Sequence, residues 1–350
     1  MISERTRTKF AELAHYLEHH RKGRWLVLSH DNPDPDALIS AAMLGQILER
    51  AFHCRVTIAY GGIIGRAENQ EMCRLLGLQM SRLRHISWKN YRHFALVDTQ
   101  PHTGNNQLPL RVTPDLVIDH HPSRRKSLES PFVDIRPSYG ATASILSEYL
   151  LVSDLPVTRN AATGLVYAIR SETQAFSRES SGPDQLLYDH FLPLVNKRNL
   201  GKIQFPKLPR SYLRTLSEAL TALEEAENVI VCHLSTIETP DIVPEIADLL
   251  LRLEGKTWCL TTGPFEDRIY LAIRTTNTRA DAGGAMRRIL GRRGKGGGHG
   301  MIAGGWFPID DEPDAAPKAQ RRLALRLLRI LKKDPRKLSR IALDDKTESP

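Results

Sequence analysis

The sequence predicts a two-domain α/β protein whose larger, N-terminal domain is built on a parallel sheet. With 350 residues, the chain exceeds the size at which one hydrophobic core usually keeps growing. Short β-type runs alternate with helical patterns through the first half, which is typical of a parallel sheet that carries helices on its faces. A second group of strand patterns begins at residue 229 and predicts a smaller α/β domain.

The elements follow from these patterns in chain order. The runs RWLVLSH, RVTIAY, HFALVDT and DLVIDHH are predicted strands of the first sheet, and DALISAAMLGQILER is a predicted helix between the first two. Further helices are expected over 141–151, 161–169 and 212–228, and VIVCHL, TWCLTTG and IYLAIRTT are predicted strands of the second domain. We therefore divide the chain into a first domain over 1–195, a linker over 196–228, a second domain over 229–335 and a tail over 336–350.

Composition and charge exclude several protein classes. The hydrophobic fraction of 41% and the charged fraction of 25% indicate a folded globular protein and not a disordered chain. The N-terminus lacks the apolar segment of a signal peptide and no apolar run approaches a membrane span, which predicts a cytoplasmic protein. The cysteines form no C-x-x-C pair that would indicate structural zinc. The net charge of +9 favours anionic partners, although residues 321–340 are expected to form an amphipathic helix with a solvated basic face.

Acids and histidines follow the predicted strands of the first domain. The set comprises His30, Asp34, Asp36, Asp98, His120 and His121, with Glu172 after a predicted helix. Since open α/β sheets bind ligands at the carboxyl ends of their strands, we expect these side chains in one crevice. Carboxylates this close would repel one another unless a cation compensated their charge. Mixed Asp and His ligands suit Mn²⁺ or a related octahedral ion, and their number suits two ions roughly 3.5 to 4 Å apart.

Two plainer interpretations compete with a ligand site. In SHDNPDPDA, Asp34 or Asp36 could serve only as the N-cap of the following helix. Capping needs one acid, whereas acids recur after two later strands, so the metal interpretation is favoured. The run KGGGHG could be a flexible turn, but its position after LAIRTT and a helical segment favours a backbone that approaches a phosphate closely.

Five motifs resemble those of one known family. HDNPDPDA, VDT, DHHP and SETQAF, in this order, resemble the motifs of the DHH phosphoesterases, and GGGHGMIAGG resembles the glycine-rich signature of the DHHA1 domain. The resemblance extends from His30 to Gly305 and is greatest to the nano-RNase and pAp-phosphatase group (NrnA-like). It implies a DHH catalytic domain over 1–195 and a DHHA1 substrate-binding domain over 229–335, with the active site in the cleft between them.

The resemblance assigns the metal ligands to two sets. One ion would be held by His30, Asp34 and Asp98, and the other by Asp36, Asp98, His120 and Glu172, so that Asp98 bridges both. At one position the chain departs from the family, because ETQ stands where DTG is usual. Glu172 thus supplies its carboxylate on a side chain one methylene longer, which could reach the second ion in a different coordination mode or could loosen that site.

The resemblance also implies catalytic and substrate-binding residues. Besides Asp98, the catalytic residues would be His121, which contacts phosphate or donates a proton near the leaving group, and Asp119, which orients a ligating imidazole. A hydroxide activated by the two metal ions would be the nucleophile. In the second domain, Arg274 and His299 match the family's residues that hold the substrate's phosphate. Gly297 and Gly298 are predicted to bind the same phosphate, because backbone without Cβ atoms can approach it closely.

The resulting hypothesis is a metal-dependent phosphodiesterase that hydrolyses short RNA oligonucleotides or dinucleotides to nucleoside 5′-monophosphates, and pAp at its 3′-phosphate as the resembled group does. Its expected cofactors are two divalent ions, Mn²⁺ first, with Mg²⁺ and Co²⁺ as alternatives. Other activities left open are those of a cyclic-dinucleotide phosphodiesterase, an exopolyphosphatase or pyrophosphatase, and a non-catalytic nucleotide-binding protein. Base recognition would require an aromatic surface, for which Trp306 is a candidate, although such a residue is more often part of a core. No membrane association and no obligate protein partner are expected, and a homodimer is left open.

Overall fold

The computed structural model describes residues 2–177 and 180–341, and the side chain of His299 lies outside the described part. The chain divides into two compact units, an N-terminal unit over Met1–Lys207 and a C-terminal unit over Leu208–Pro350. The division falls inside the predicted linker, 196–228, which contains two helices and a strand. Each unit has a hydrophobic core of its own.

A six-stranded sheet forms the centre of the N-terminal unit. Its strands are β1 (Arg24–Leu28), β2 (Arg55–Tyr60), β3 (Ser81–Arg82), β4 (His93–Val97), β5 (Leu116–Asp119) and β6 (Phe132–Ile135). They lie in the order β3-β2-β1-β4-β5-β6, and each neighbouring pair is parallel. The predicted parallel sheet is thereby confirmed.

Helices pack on one face of this sheet. They are α1 (Glu4–His20), α2 (Pro35–Arg50), α3 (Ala67–Leu76), α4 (Thr142–Val152), α5 (Arg159–Glu172), α6 (Gly182–Phe191) and α7 (Lys197–Gln204), with 3-10 turns at Leu83–His85, Trp88–Asn90, Arg125–Glu129 and Leu192–Leu194. Trp25 and Val27 of β1 point into the core that these helices form. Leu26 and Leu28 point to the opposite face, because successive side chains of a strand alternate. Among the described residues, 3-10 turns and loops cover that second face, since the connections that lead into β4 and β5 contain no α-helix.

The strand order places a switch point beside β1. The chain runs from β1 to β2 on one side of it, whereas β4 pairs on the other side. Loops that leave the carboxyl ends of β1 and β4 therefore diverge and open a crevice, which is where open α/β sheets bind ligands. His30 follows β1 and Asp98 follows β4, so both lie at this crevice.

The C-terminal unit is built on a mixed sheet of seven strands within its described residues. They are β7 (Leu223–Ala226), β8 (Val229–His233), β9 (Trp258–Phe265), β10 (Arg268–Thr275), β11 (Lys295–His299), β12 (Ile302–Pro308) and β13 (Ser339–Arg340). The order is β11-β12-β10-β9-β8-β7-β13, with only β8 and β9 parallel. The helices are α8 (Arg210–Thr221), α9 (Ile242–Leu250), α10 (Ala282–Leu290) and α11 (Ala315–Ile330), with a 3-10 turn at Pro335–Lys337. Helices α10 and α11 cover one face of the sheet, and α8 and α9 pack on the other.

Two predicted elements of this unit differ from the structure. The helix predicted over 212–228 ends at Thr221, and residues 223–226 form β7 instead. Leu, Glu and Ala favour helices, but pairing of β7 with β8 overrides that preference. Likewise, the amphipathic helix expected over 321–340 is the C-terminal part of α11 and ends at Ile330. Among the described residues, no helix has the length and apolar character to cross a membrane.

Candidate metal site

The loop after β1 supplies two potential metal ligands. Nδ1 of His30 donates a hydrogen bond to the carbonyl oxygen of Asp31 at 2.9 Å. Its Nε2 therefore faces the carboxylates of Asp34, at 3.7 Å, and Asp98, at 3.5 Å. Asp34 is also the N-cap of α2, because its carboxylate accepts from the backbone N–H of Ala37 at 3.0 Å. A capping carboxylate keeps further lone pairs for a cation, so the capping and metal interpretations hold together.

Asp36 caps a different helix from Asp34. Its carboxylate accepts from the backbone N–H groups of Thr142 and Ala143, both at 2.7 Å, at the start of α4. The side chain is 1% exposed. Burial, together with the negative charges of Asp98, Glu172 and Asp34, raises the pKa of Asp36 well above its usual value. A cation beside this carboxylate would relieve the repulsion that causes the shift.

Asp98 lies between two groups of potential ligands. It follows β4 directly, with φ at 57°, a left-handed conformation that is uncommon for residues other than glycine. Whereas Oδ2 faces His30, Oδ1 lies 3.7 Å from Nε2 of His120 and 3.8 Å from Nδ1 of His121. Oδ1 also accepts from the hydroxyl of Thr142 at 2.8 Å. The two oxygens of one carboxylate thus point in two directions, as expected of a bridging ligand.

His120 has the geometry of a metal ligand. It follows β5, and its Nδ1 donates to the carbonyl oxygen of Tyr139 at 3.2 Å. This hydrogen bond fixes the tautomer in which Nε2 carries the free lone pair, a common arrangement for metal-binding histidines. Nε2 is buried and has no hydrogen-bond partner. A buried nitrogen of this kind is costly unless something binds it, and a divalent ion would do so.

Two groups of three side chains could each hold a divalent ion. Among the described residues, the potential ligand atoms of His30, Asp34 and Asp98 lie within 4.8 Å of one another, and so do those of Asp98, His120 and His121. Asp98 belongs to both groups. The first group is the predicted ligand set, whereas the second contains His121 and lacks Asp36 and Glu172. We call the six residues His30, Asp34, Asp36, Asp98, His120 and His121 the strand-end cluster.

His121 is oriented by a buried carboxylate. Its Nδ1 donates to Oδ1 of Asp119 at 2.9 Å, and its ring is 36% exposed. Burial alone would lower the pKa of His121, but the hydrogen bond to Asp119 and the charges of Asp119, Asp98 and Glu172 outweigh it and raise the pKa to about 9. Asp119 therefore orients His121, whereas the predicted metal ligand His120 is oriented by a backbone carbonyl.

Glu172 ends α5 and lies near the cluster without joining either group of three. Its charge acts on both Asp36 and His121, whose pKa values it helps to raise. Three consecutive residues after it, Gln174, Ala175 and Phe176, have left-handed backbone conformations, with φ between 47° and 66°. The motif SETQAF thus ends in a tight turn that directs the chain away from α5.

Three contacts in the site involve residues that the motifs did not indicate. The amide of Gln100, 1% exposed, donates to Oδ2 of Asp119 at 2.6 Å, while its oxygen accepts from the N–H of Arg124 and the hydroxyl of Ser127, both at 2.7 Å. The others are the Thr142 hydroxyl and the Tyr139 carbonyl oxygen described above. In the sequence, Gln100 is indicated only by its position directly after VDT, and that position does not indicate its hydrogen-bond partners.

The predicted phosphate-binding residues lie on strands of the C-terminal unit. Arg274 is 8% exposed; its Nε donates to Asp248 at 2.5 Å, and Nη1 donates to the carbonyl of Ala303 at 3.3 Å. A phosphate at Arg274 would therefore share a guanidinium that already pairs with a carboxylate. The glycine run forms β11, not a loop, and pairs with β12. The predicted contact by the His299 side chain lies outside the described residues.

Gly297 and Gly298 have different environments in β11. A Cβ added to Gly297 would have no described atom within 4 Å. At Gly298, with φ at 154°, it would lie 2.1 Å from the carbonyl oxygen of Ile302. Glycine is therefore required by packing at 298, whereas at 297 it leaves an open surface beside the backbone.

Comparisons with known proteins agree with this architecture. Residues 226–325 match the DHHA1 domain family. The chain is 34% identical over 294 residues to an uncharacterized protein of Methanocaldococcus jannaschii; the alignment covers 83% of this chain and 59% of that protein's length. The chain thus spans less than two thirds of this relative.

Two solved structures share the fold. An exopolyphosphatase-related protein from Bacteroides fragilis superimposes with a TM-score of 0.70 at 12% identity, covering 93% of this chain and 98% of that one. RecJ from Thermus thermophilus, solved in complex with Mn²⁺, gives a TM-score of 0.53 at 16% identity, covering 94% of this chain and 55% of RecJ. At these identities, the likeness establishes the fold alone.

The fold and the site together define a class of protein with two units. The first unit has a parallel sheet and a cluster of Asp and His residues, and a second α/β unit follows it in the sequence. Residues 226–325 of the second unit match the DHHA1 domain family, and the fold of the chain is similar to that of about half of RecJ. These findings support the predicted DHH/DHHA1 family.

Proposed function

We propose that this chain is a divalent-metal-dependent phosphoester hydrolase whose active site is the strand-end cluster. The observation that carries the proposal is Asp98, whose two carboxylate oxygens face two groups of potential ligands. Ions bound there, two in number and Mn²⁺ foremost, would polarise a phosphoryl oxygen and activate water for attack on phosphorus. The position of Asp98 between the two groups, the burial of His120 Nε2 and the raised pKa of Asp36 all support this site.

His121 is proposed as the general acid for the leaving group. In this role His121 keeps its ring proton and is not a metal ligand, so the second ion would be held by the predicted set of Asp36, Asp98, His120 and Glu172. The pKa of His121 is raised to about 9, which favours the protonated ring at neutral pH. As the bond between phosphorus and the leaving oxygen breaks, that proton passes to the leaving oxygen, and water supplies the oxygen that phosphorus gains. The proton that the water loses replaces the one that His121 gave. Asp119 keeps its negative charge throughout and holds the ring in place, because the hydrogen bond to His121 outweighs burial and lowers the pKa of Asp119.

The proposed substrates are short RNA oligonucleotides and dinucleotides, which would be cleaved to nucleoside 5′-monophosphates, and pAp, which would lose its 3′-phosphate. A net charge of +9 supports an anionic substrate. The nano-RNase and pAp-phosphatase group is the proposed subgroup on the strength of motif order and the DHHA1 domain. Cyclic dinucleotides and inorganic polyphosphate are the competing substrates that the same site could serve.

Substrate profiling tests the activity. Purified protein is incubated with pApA, pAp, cyclic di-AMP or tripolyphosphate, each with Mn²⁺, Mg²⁺, Co²⁺ or EDTA, and products are separated by ion-exchange chromatography. We expect AMP from pApA and from pAp with Mn²⁺ and no product with EDTA. Failure to release AMP or phosphate from every substrate with every ion would rule out a phosphoester hydrolase.

A matched variant links the activity to the cluster. Asp98→Asn keeps the size of the side chain, and asparagine tolerates the left-handed backbone at this position. We expect its kcat to fall by at least about 100-fold, with unchanged circular dichroism. Asp115→Asn serves as a control in the same unit, since Asp115 pairs with His93 away from the cluster. Equal loss of activity in both variants would remove the support for Asp98.

A further inference from the structure

Within the part of the C-terminal unit that the structure describes, one face of the sheet stays open along its edge strands. Directly opposed residues of antiparallel strands share a face of the sheet. On one face, the opposed residues of β10, β12 and β11 form a first row, which consists of Tyr270, Trp306 and Lys295. Two residues further along the strands, a second row on the same face consists of Ala272, Gly304 and Gly297. Helix α9 covers β9 and β10 on this face, but Lys295 and Gly304 at the edge are exposed. The edge strands thus present a surface that the described residues of their own unit leave uncovered.

Trp306 carries two cations over its ring. The guanidinium carbon of Arg268 lies 4.2 Å from the ring centroid, and Nζ of Lys295 lies 5.9 Å from it. Nε of Arg268 also lies 3.4 Å from the carboxylate of Asp267. A planar guanidinium against a half-buried indole gives a flat, positively charged layer. A layer of this kind attracts an anion that also has an aromatic face.

The glycines beside Trp306 form a flat strip of bare backbone. A Cβ at Gly297 would meet no described atom within 4 Å, and at Gly304 only the carbonyl oxygen of Leu271 at 3.9 Å. On the opposite face, by contrast, a Cβ at Gly296 would lie 2.6 Å from Leu290. Packing therefore explains glycine on the covered face but not on the open one. Bare backbone at 297 and 304 lets a ligand approach the sheet closely.

We propose that Trp306, with Arg268 and Lys295, forms a nucleobase-binding subsite, over which one base stacks while its sugar and phosphate lie along Gly304 and Gly297. Stacking platforms flanked by basic side chains are the general solution for holding single-stranded nucleotides. Inorganic polyphosphate has no base and gains nothing from an indole. The subsite rests on the proposed function for the identity of its ligand, and it deepens that function by favouring nucleotides over polyphosphate.

The subsite and Arg274 lie at two ends of the same strip. Tyr270, in the row of Trp306, and Arg274 are four residues apart on β10, which corresponds to about 13 Å at the rise of a strand. One ligand could place a base at Trp306 and a phosphate toward Arg274. Polyphosphate could make the phosphate contact at Arg274 as well, so Trp306 is the residue that would distinguish nucleotides from polyphosphate.

Binding measured without turnover tests the subsite independently of catalysis. The full chain in EDTA is titrated by calorimetry with pApA and, separately, with tripolyphosphate. In Trp306→Leu we expect the Kd for pApA to rise by about 5- to 150-fold, the range for loss of one stacked base, and the Kd for tripolyphosphate to stay unchanged. Trp306→Phe keeps an aromatic face and should retain most of the affinity for pApA.

Two further variants separate stacking from charge and from folding. Trp88 is half-buried like Trp306 but lies in the N-terminal unit, so Trp88→Leu is a matched control that should leave both Kd values unchanged. Lys295→Gln removes charge and should weaken both ligands. Absence of pApA binding to the parent chain would overturn the subsite, as would equal weakening of both ligands in Trp306→Leu. A parent chain that hydrolyses pApA while Trp306→Leu binds it normally would leave the proposed function standing without this subsite.

Discussion

Asp34 and Asp36 cap two different helices, although only Pro35 separates them in the sequence. Asp34 accepts from the first turn of α2, to which it is the N-cap, whereas Asp36 accepts from the first turn of α4, 106 residues later in the chain. Each carboxylate also lies among the charges of the strand-end cluster. The acid-rich stretch after β1 therefore joins two helices to the site as well as supplying ligands.

The two caps predict different losses of stability in the absence of metal. Asp34→Ala removes the N-cap hydrogen bond that a partly exposed carboxylate accepts at the start of α2. This loss should lower the free energy of unfolding by about 1 kcal/mol. Asp36→Ala leaves two buried N–H groups without an acceptor and should cost about 2 kcal/mol or more, even after relief of charge repulsion. Urea unfolding in EDTA measures both, with Asp34→Ser as a control that keeps a capping oxygen. A smaller loss in Asp36→Ala than in Asp34→Ala would contradict the assignment.

Gln100 is expected to position Asp119 and, through it, His121. In Gln100→Leu the amide donor to Asp119 and the acceptor for Arg124 and Ser127 are both lost. We expect kcat to fall by about 10- to 100-fold, as for other residues that orient a ligand or acid from the second layer of a site. KM should change little, since Gln100 is buried and does not contact substrate.

Gln185→Leu is the matched control for that measurement. Gln185 is exposed on α6, and its side chain donates a hydrogen bond to Asp189, which does not belong to the strand-end cluster. Its substitution should leave kcat unchanged. A Gln100→Leu variant with the kcat of the parent chain would show that the hydrogen bond from Gln100 is not required to position Asp119.

His233 should make the C-terminal unit sensitive to acid. Burial, and to a lesser extent the charge of Arg321, lower its pKa from 6.5 to about 4, so the unfolded chain binds a proton more readily than the folded one. Stability is therefore present above about pH 6.5 and is lost as the pH falls toward 4, by at most about 1.4 kcal/mol per pH unit. Urea unfolding between pH 7.5 and 4.5 should show this slope reduced in His233→Gln and unchanged in His19→Gln, whose residue is exposed. An identical slope in all three proteins would contradict the prediction.

Adjacent glycines of β11 should respond differently to a methyl group. Gly298→Ala places a Cβ against the carbonyl oxygen of Ile302 at a left-handed φ, and should lower the free energy of unfolding by about 1–3 kcal/mol. Gly297→Ala points into open space and should change it by less than about 0.5 kcal/mol. Thermal unfolding followed by circular dichroism compares the two. Equal destabilisation would show that the strand, and not this one contact, requires glycine.

Much of the site could be predicted because each ligand lies at the end of an apolar strand. The order of the strand patterns placed His30, Asp98 and His120 at one edge of a parallel sheet, and the structure brings them together there. The partners that orient them could not be predicted in the same way. Tyr139 and Thr142 belong to segments whose patterns show no metal chemistry, and they reach the site only through the packing of α4.

Errors in the predicted fold have local causes. LEEA, at 223–226, has the composition of a helix and becomes a strand only because β8 offers it a partner. The helix expected over 321–340 ends at Ile330, and Ser339 and Arg340 pair with β7 instead. In both cases a tertiary partner, which no window of sequence contains, decided the conformation.

Manganese electron paramagnetic resonance tests the shared role of Asp98 most directly. The full chain is loaded with two equivalents of Mn²⁺, and the spectrum is compared with that of Asp98→Asn at the same loading. If one carboxylate bridges two ions a few ångströms apart, the parent chain should give the broad spectrum of a spin-coupled pair, and the variant should lose it. An uncoupled six-line spectrum from the parent chain, identical to that of Asp98→Asn, would contradict the account.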